Sequence, residues 1–362
     1  MPPETAAAPQ CPTAGLPAQK AVRQAGPADD AAAPVLDRAL APVKDGLEAV
    51  SAMILAELAD PVARTVVYLI AAGGKRLRPA LVLLAGSFGP SPNRTGLIEI
   101  ATAVELIHTA TLIHDDIIDR SPLRRAQPTF HHRWGTERAV LMGDYLHATA
   151  FTLIARQDSV VMQAMADVCR QLCRGELREV EARYRLDLTE AEYLDVIRDK
   201  TGSLIGGCCR CGAYLGGCEA EAVEQLAAFG MSFGLAFQII DDCLDLSGDE
   251  RQLGKSILTD LDKGALSLPV IYLARSLSER ERKRLFAPLR RGDVNPAFLA
   301  RVAAAAQETG AIAKAQERAR TMLDEALVAL SRPPVEWSST GGMDGLYRAY
   351  QDLADYAVTR RS

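Results

Sequence analysis

The sequence predicts an all-α protein, organised as a single-domain bundle of about 10–13 helices. Three observations support this fold class. Ala and Leu abound, β-branched alternation is scarce, and helical patterns follow one another from Val35 onwards with short breaks. The chain has 362 residues, of which 48% are hydrophobic, so a substantial core can be buried.

Each predicted element follows from local composition. Residues 1–34 are rich in Ala, Pro, Gln and Gly without apolar periodicity, which predicts a disordered tail ahead of an all-helical domain at 35–362. Proline and glycine at 89–92 and 331–334 forbid helix continuation. The predicted helices are 36–59, 61–72, 79–88, 95–118, 136–156, 159–185, 189–201, 203–217, 219–245, 264–277, 295–331 and 342–360.

Composition excludes several classes of function. A net charge of −5 argues against nucleic acid as a partner. The apolar stretch at about 226–240 is too short and too polar to span a bilayer. Because the N-terminus also lacks a signal-peptide pattern, we expect no transmembrane segment, a cytoplasmic location and reduced thiols. A group of cysteines without a nearby His is interpreted as small apolar residues of a packed helix: Cys208, Cys209, Cys211 and Cys218.

Two aspartate clusters share one pattern, DDIID at 115–119 and DDCLD at 241–245. On a helix, residues i and i+4 lie on one face, so the first and last Asp of each cluster repel each other. Both clusters follow apolar runs, unlike the charged faces of ordinary surface helices. Oxygen-only clusters suit Mg²⁺, whose coordination is usually completed by substrate phosphates. The pattern therefore predicts a Mg²⁺–diphosphate enzyme.

Cationic residues flank these clusters. The segment GGKRLRP at 73–79 packs three positive charges between a glycine pair and a proline. Arg124 and Arg125 follow the first cluster, and guanidinium groups bind phosphate oxygens in bidentate fashion. Together with the aspartates, these groups favour diphosphate binding over a solvated surface.

These residues resemble the trans-isoprenyl diphosphate synthases, also called polyprenyl synthetases, over about residues 35–362. The resemblance implies an isoprenoid synthase-type fold with helices around a deep central cavity, usually paired as a homodimer. It also implies head-to-tail condensation of isopentenyl diphosphate with an allylic diphosphate. The matching motifs are GGKRLRP at 73–79, ELIHTATLIHDDIID at 105–119, LRR at 123–125, MGD at 142–144, Lys200-Thr201, FQIIDDCLD at 237–245 and LGKS at 253–256.

The resemblance also assigns roles to residues. Metal binding, expected to involve three Mg²⁺ ions, falls to Asp115, Asp119 and Asp241, supported by Asp116, Asp242 and Asp245. The allylic diphosphate and the reacting carbocation are assigned to Arg124, Lys200, Lys255, Thr201 and Gln238. Isopentenyl diphosphate is assigned to Lys75, Arg78, His108 and Arg125.

Two positions need separate comment. His108 lies seven residues before Asp115, two helical turns along one face, which favours a site role over core packing. The family commonly has Gly-Lys-x-Thr-Leu-Pro after the second aspartate motif, but here Ala265 replaces that lysine. Either Lys263 compensates or one substrate binds more weakly.

The product length is predicted from the helix that carries the first cluster. In the family, the positions of Ala110 and Thr111 face the growing chain, and bulky aromatics there stop elongation early. Both residues are small here, and Ile107 and Val104 on the next turn are not aromatic. With one turn rising about 5.4 Å, we expect a long-chain product of about C30–C45, the size of quinone tails.

Alternatives remain at this stage. Leu146 and Phe151 on another helix are candidates for a deeper floor, which would give a farnesyl- or geranylgeranyl-length product. A terpene cyclase would not need the isopentenyl diphosphate site. A non-catalytic partner subunit would not need six aspartates. Transient membrane contact during product release is a further hypothesis.

Overall fold

The computed structural model describes residues 32–71, 74–124, 127–247, 259–332 and 343–360. The first half of the bundle comprises α1 (Ala33–Leu40), α2 (Lys44–Glu57), α3 (Val67–Ala71), α4 (Leu77–Gly86), α5 (Arg94–Ile118), α6 (Phe130–Trp134), α7 (Thr136–Ile154), α8 (Ser159–Ala182) and α9 (Glu190–Ile197). The second half comprises α10 (Ser203–Leu215), α11 (Ala220–Ser247), α12 (Thr259–Asp262), α13 (Leu268–Ser276), α14 (Glu279–Leu285), α15 (Ala287–Arg291), α16 (Pro296–Glu308), α17 (Ala311–Leu330) and α18 (Met343–Thr359).

Short elements connect these helices. Turns of 3₁₀ helix precede α2 and α3 at Ala41–Val43 and Ala63–Val66, and a π-helix at Arg198–Gly202 joins α9 to α10. Within the described ranges, the strands are β1 (Leu123–Arg124) and β2 (Gln127–Pro128), which pair antiparallel in a hairpin just after α5. The all-α prediction is confirmed.

The bundle is organised around α5, α10 and α11. Helix α5 packs against α4 and α7, α10 packs against α4 and α11, and α11 packs against α17. Close backbone approach needs glycine here, because a Cβ on Gly212 of α10 would lie 2.2 Å from the Val82 carbonyl oxygen of α4. These contacts align the C-terminal ends of α5 and α11, which carry the aspartate clusters.

Several predicted boundaries are corrected by the structure. The predicted helix 36–59 is divided near Pro42, and the predicted helix 295–331 is divided at Gly310, which adopts φ +72°. The predicted helix 264–277 begins only at Leu268, because Gly264 has φ +82° and Pro269 must occupy the first turn. Helices α6, α14 and α15 and the hairpin were not predicted.

The chain's N-terminal part is only partly described. The predicted tail at 1–34 lies almost wholly outside the described residues, and α1 already begins at Ala33.

Within α10, Cys208, Cys209 and Cys211 are buried free thiols, as the apolar interpretation predicts. In the described ranges, no group of three His, Cys, Asp or Glu side chains is arranged to hold a metal on its own.

Two helices, α5 and α11, are long and apolar enough to cross a membrane by length and composition. Of their most apolar windows, 72% and 61% are buried inside the bundle. Burial of this kind is what the core helices of a helical bundle show.

Candidate active site

The two aspartate clusters end two core helices. Helix α5 starts at the Asn93 cap, whose side chain accepts a hydrogen bond from the Gly96 N–H, and ends with the Asp119 N–H donating to the Asp115 carbonyl over 2.8 Å. Helix α11 carries the second cluster in its last two turns. Because a helix C-terminus is the negative pole of the helix dipole, both sets of carboxylates add to negative potential there.

Lys200 lies beside the first cluster. Its Nζ is 2.8 Å from Glu176 Oε2 on α8 and also donates to Glu179. Burial alone would lower the pKa of Lys200, but the charges of Glu179, Glu176 and Asp115 outweigh it, so the net pKa is raised. Lys200 is therefore a permanent cation beside the first cluster, as the sequence predicts for a diphosphate ligand.

A π-helix positions Lys200 and Thr201. Asp199 in this turn is buried and accepts bidentate hydrogen bonds from Arg174 of α8 at 2.7 and 2.6 Å, with Arg178 adding a bond of 2.7 Å. On the other side, a Cβ on Gly234 of α11 would lie 2.8 Å from the Gly202 Cα. The turn is thus fixed between α8 and α11, and such π-helical turns are frequent at functional sites.

A chain of hydrogen bonds links this turn to the second cluster. The Thr201 hydroxyl donates to Gln238 Oε1 at 3.0 Å, and Gln238 Nε2 donates to Asp242 Oδ1 at 2.9 Å. The Tyr193 hydroxyl donates to the other Asp242 oxygen at 2.6 Å. Burial raises the pKa of Asp242 well above its usual value, and the charge of Asp260 raises it further. With both oxygens engaged, Asp242 orients Gln238.

Carboxyls in the site bear strongly shifted pKa values. Burial raises the pKa of Asp115 to about 7; Lys200 and Arg124 oppose this shift, whereas Glu176 and Glu179 increase it. The raised pKa means that burial makes the charged form of Asp115 costly, and that the neighbouring cations do not fully offset this cost. A bound cation would relieve that cost.

A further acidic residue, Asp260 on α12, connects the clusters. Burial raises its pKa to about 7, and the charges of Asp245 and Glu179 add to the shift, whereas Lys263 and Lys200 oppose it. The charges of Asp245 in the second cluster and of Lys200 beside the first cluster both shift the pKa of Asp260. We infer that the two clusters face one common space.

The remaining residues of the first cluster are paired with cations. Asp116 is buried; its Oδ1 accepts from Arg124 Nε at 2.9 Å, and its Oδ2 has no hydrogen-bond partner among the described residues. Asp119 accepts from Arg183 Nη2 and from Lys263 Nζ, each at 3.0 Å. Arg124 thus lies beside the first cluster.

In the second cluster, Asp241 pairs with a residue that the sequence did not indicate. Arg360, only 4% exposed, donates from Nη1 to Asp241 Oδ1 at 2.5 Å and from Nη2 to the Phe237 carbonyl at 2.8 Å. Its guanidinium carbon lies 3.7 Å from the centre of the Phe237 ring. The C-terminal end of the described chain therefore closes this side of the site.

The basic loop before α4 lies near α5 and the second cluster. Arg76 adopts φ +50° and binds Glu105 of α5 at 2.6 Å, so its role is structural. Arg78 is half-buried, its Nε is buried without a hydrogen-bond partner among the described residues, and desolvation lowers its pKa although Glu105 and Asp241 oppose the shift. Lys75 Nζ lies 5.1 Å above the Tyr356 ring. An unsatisfied, buried guanidinium N–H is suited to an anionic ligand.

The predicted product wall lies in the core. Ala110, Ile107 and Val104 on α5 are fully buried, and so is Leu146 on α7. Phe151, the other candidate for a deeper floor, is 41% exposed and is therefore excluded from the interior. His108 and Thr111 are half-buried on α5, where the His108 carbonyl accepts from the Thr111 hydroxyl.

Several predicted site residues cannot be placed, and several contributors were missed. Arg125 and Lys255 lie outside the described residues. Six residues near the clusters were not predicted from the sequence: Glu176, Glu179, Asp260, Arg183, Tyr193 and Arg360. Of these, only Asp260 follows closely on a predicted motif; the others lie in amphipathic helices or near chain ends, where charged residues are usually solvated.

Mg²⁺ fits the donor set on physical grounds. The carboxylates supply oxygen ligands only, Asp116 has a buried oxygen without a partner among the described residues, and Asp115 carries a carboxylate that burial destabilises in its charged form. The described side chains alone do not form a complete cage. An incomplete protein ligand set is typical of Mg²⁺ sites that substrate phosphates complete.

An all-helical bundle with two aspartate triplets facing one lysine defines a protein of the isoprenoid synthase type. Residues 60–305 match the sequence profile of the polyprenyl synthetase family, and the chain belongs to that family. It is thereby a prenyltransferase. This assignment favours chain elongation over the terpene cyclase and non-catalytic subunit alternatives.

Known relatives span a range of product lengths. The chain is 40% identical over 232 residues to a short chain isoprenyl diphosphate synthase of Methanothermobacter thermautotrophicus, covering 62% of this chain and 71% of the relative. It is 35% identical over 300 residues to an all-trans-nonaprenyl-diphosphate synthase (geranyl-diphosphate specific) of Rhodobacter capsulatus, covering 82% and 91%.

The fold is similar to that of solved family members. The crystal structure of a polyprenyl synthase from Caulobacter crescentus CB15, complexed with calcium and isoprenyl diphosphate, superposes with a TM-score of 0.84 at 31% identity. The match covers 90% of this chain and 98% of that chain.

Proposed function

We propose that this protein is a Mg²⁺-dependent synthase that condenses isopentenyl diphosphate with an allylic diphosphate to a long-chain all-trans polyprenyl diphosphate of about C30–C45. The reaction releases diphosphate, and the product suits quinone side chains. The small, fully buried Ala110 one turn before the first cluster supports this length. The nonaprenyl relative supports it as well.

We assign the following binding roles to the residues of the site. Lys200, with Arg124 and Lys255, binds the allylic diphosphate, while Thr201 and Gln238 face the developing allylic cation. Lys75, Arg78, His108 and Arg125 bind isopentenyl diphosphate. Bound Mg²⁺, expected as three ions on the six aspartates, supplies Lewis-acid stabilisation of the charge on the leaving diphosphate.

The hydrogen-bonded amide of Gln238 is suited to its proposed position. Its orientation is fixed because it donates to Asp242 and accepts from Thr201. The amide and hydroxyl oxygens present partial negative charge without a strong nucleophile. Such groups stabilise a carbocation while resisting its capture.

Product analysis tests the proposal. Purified protein is incubated with Mg²⁺, labelled isopentenyl diphosphate and a farnesyl or geranylgeranyl diphosphate primer. Products of C30 or longer are the expected result. A stop at C20 with the farnesyl primer would keep the chemistry but overturn the chain length, in line with the short-chain relative. No incorporation would overturn the proposed activity.

Ala110→Tyr is expected to shorten the product to about C15–C20, because a phenol side chain about one turn from Asp115 would close the path of the growing chain near its start. If open space faces Ala110, the variant also keeps its stability. In a packed core the extra volume would cost about 1–3 kcal/mol of unfolding free energy. Product length by mass spectrometry and the melting temperature together check both points.

A second variant keeps the test informative if Ala110→Tyr does not fold. Thr111→Phe adds an aromatic ring at a half-buried position, so it folds more readily than a change at Ala110. An unchanged product length in both variants, with elongation intact, contradicts the wall assignment and moves the floor to the neighbourhood of Leu146.

We further propose that the protein is a cytoplasmic homodimer joined through α7 and α8. On α7, Leu141 and Tyr145 are 67% and 37% exposed and lie one turn apart on one face. On α8, Leu177 and Val180 are 65% and 42% exposed. Apolar stripes of this size on neighbouring helices are typical of surfaces that a second subunit covers.

Leu141→Glu is expected to shift the protein from dimer towards monomer, because it places a charge in the centre of the proposed apolar interface. Sedimentation velocity measures the change. Val328→Glu serves as the matched control, since Val328 is 52% exposed on α17, away from α7 and α8. Equal sedimentation of both variants with the unaltered dimer contradicts this interface.

A further inference from the structure

Asp119, the last residue of the first cluster, is held by two cations from distant parts of the chain. Arg183 donates to Oδ1 and Lys263 to Oδ2, each at 3.0 Å, and Lys263 Nζ also lies 3.3 Å from the Ser121 hydroxyl. The three charged side chains are each about a quarter exposed. Two cations therefore share one carboxylate at this edge of the site.

The backbone keeps these two cations together. Tyr184, next to Arg183, adopts φ +64° and its N–H donates to the Gly264 carbonyl at 2.7 Å. Gly264, next to Lys263, has φ +82°, and a Cβ there would lie 2.6 Å from the Tyr184 ring. A strained non-glycine conformation and a tight ring contact at one cross-link indicate that the placement of Arg183 beside Lys263 is built in.

The same turn contains the position where the chain departs from its family. Ala265 follows Gly264, and its N–H donates to the Asp260 carbonyl at 2.9 Å to close the turn. Its methyl side chain offers no charge where the family commonly has a lysine. Lys263, two residues earlier in the same turn, carries its ammonium to Asp119 instead.

We propose that Lys263 and Arg183 form a diphosphate-binding pair at Asp119 that takes the place of the missing lysine at position 265. The inference rests on the proposed function, because the ligand is the allylic diphosphate of that reaction. An ammonium has three N–H donors and a guanidinium has five, so each can bind phosphate oxygens while keeping a bond to Asp119. Charge-assisted bonds to phosphate are among the stronger hydrogen bonds in proteins.

The pair lies close to the rest of the proposed site. Lys263 binds Asp119 of the first cluster, and its backbone N–H donates to the Asp260 carbonyl at 3.1 Å. The charges of Lys263 and Lys200 both lower the pKa of Asp260, so both lysines lie in its neighbourhood. The pair therefore adds a second cationic group to the site that contains Lys200.

The test compares Lys263→Ala, Lys263→Ala combined with Ala265→Lys, and Lys283→Ala as a control. Lys283 is an exposed lysine on α14 that pairs only with a neighbouring glutamate among the described residues. Calorimetry with farnesyl thiolodiphosphate and Mg²⁺ measures binding without ionisation of the ligand, and steady-state kinetics give KM and kcat. Arg183→Ala is examined beside Arg185→Ala, whose side chain lies outside the site.

Loss of one charge-assisted bond predicts that Lys263→Ala and Arg183→Ala weaken thiolodiphosphate binding, and raise the KM for farnesyl diphosphate, by about tenfold or more. The added lysine at 265 is expected to restore most of the loss, which a merely structural defect would not permit. The Lys283→Ala and Arg185→Ala controls are expected to bind like the unaltered protein.

Unchanged thiolodiphosphate binding in Lys263→Ala would overturn the inference, and so would a failure of Ala265→Lys to improve binding. Neither result would bear on the proposed function if the unaltered protein elongates its primer. Conversely, thiolodiphosphate binding without any incorporation of isopentenyl diphosphate would overturn the proposed function while leaving the binding pair in place.

Discussion

Replacing Asp115 by Asn is expected to reduce prenyl transfer at least about a thousandfold, equivalent to about 4 kcal/mol of lost transition-state stabilisation, while making the metal-free protein more stable. Asparagine keeps the shape of aspartate but not its charge. The proposed metal ligand is therefore lost, and so is the cost of keeping a charged carboxylate buried in the metal-free protein. Activity and stability should move in opposite directions.

The pH dependence of stability gives the sign of the second effect. Burial raises the pKa of Asp115 to about 7 in the folded protein, against about 3.9 for an unperturbed aspartate. At pH values between these two pKa values, the folded state binds more protons than the unfolded state. The free energy of unfolding therefore falls as the pH rises towards 7. One such group contributes a slope of at most about 1.4 kcal/mol per pH unit.

Thermal unfolding in EDTA at pH 5.5 and pH 8 measures this effect. The unaltered protein is expected to melt at a lower temperature at pH 8, and Asp115→Asn is expected to reduce that difference. Asp324→Asn is the control, since Asp324 is exposed on α17. A variant with lower metal-free stability at pH 8 would contradict the electrostatic account, and full activity would contradict the ligand assignment.

The sequence predicted best where local pattern and tertiary environment agree. Helix 95–118 was predicted within one residue of the observed Arg94–Ile118, and the structure shows that the Asn93 side chain caps its first turn. The helix expected at 295–331 is interrupted by Gly310, whose left-handed conformation a pattern of apolar residues does not reveal. The charged helices α14 and α15 lack an apolar stripe and were missed.

The residues of the candidate site were likewise predictable only where the local sequence pattern was sufficient. The aspartate clusters could be recognised from the sequence alone, because six carboxylates within apolar runs are unlike the charged face of an ordinary surface helix. Glu176 and Glu179 are ordinary residues of an amphipathic helix until α8 is packed against the turn that carries Lys200. Arg183 and Lys263 become a pair only through a backbone contact between residues 184 and 264. Such environments depend on long-range packing, which a single sequence does not specify.

Arg360 is the residue furthest from any sequence signal, and its replacement is expected to have a large effect. Arg360→Met should lower the free energy of unfolding by about 3 kcal/mol, the scale found when one partner of a buried charged network is removed. The Arg360 side chain is 2% exposed but that of Asp241 is 44% exposed. Asp241 can therefore be hydrated after the change, whereas the bond to Phe237 and the contact with its ring are lost.

This asymmetry makes a double-mutant cycle informative. If most of the stability comes from the contacts of Arg360 with Phe237, the coupling energy between Arg360→Met and Asp241→Asn should be smaller than the effect of Arg360→Met alone. Chemical denaturation without metal provides the four free energies, and Arg348→Met, at an exposed arginine on α18, is the control. A coupling energy equal to the whole effect would instead identify the ion pair as the main contribution. In that case Arg360 would act chiefly as the counter-ion of Asp241, and added Mg²⁺ should restore the stability of Arg360→Met by neutralising the same carboxylate.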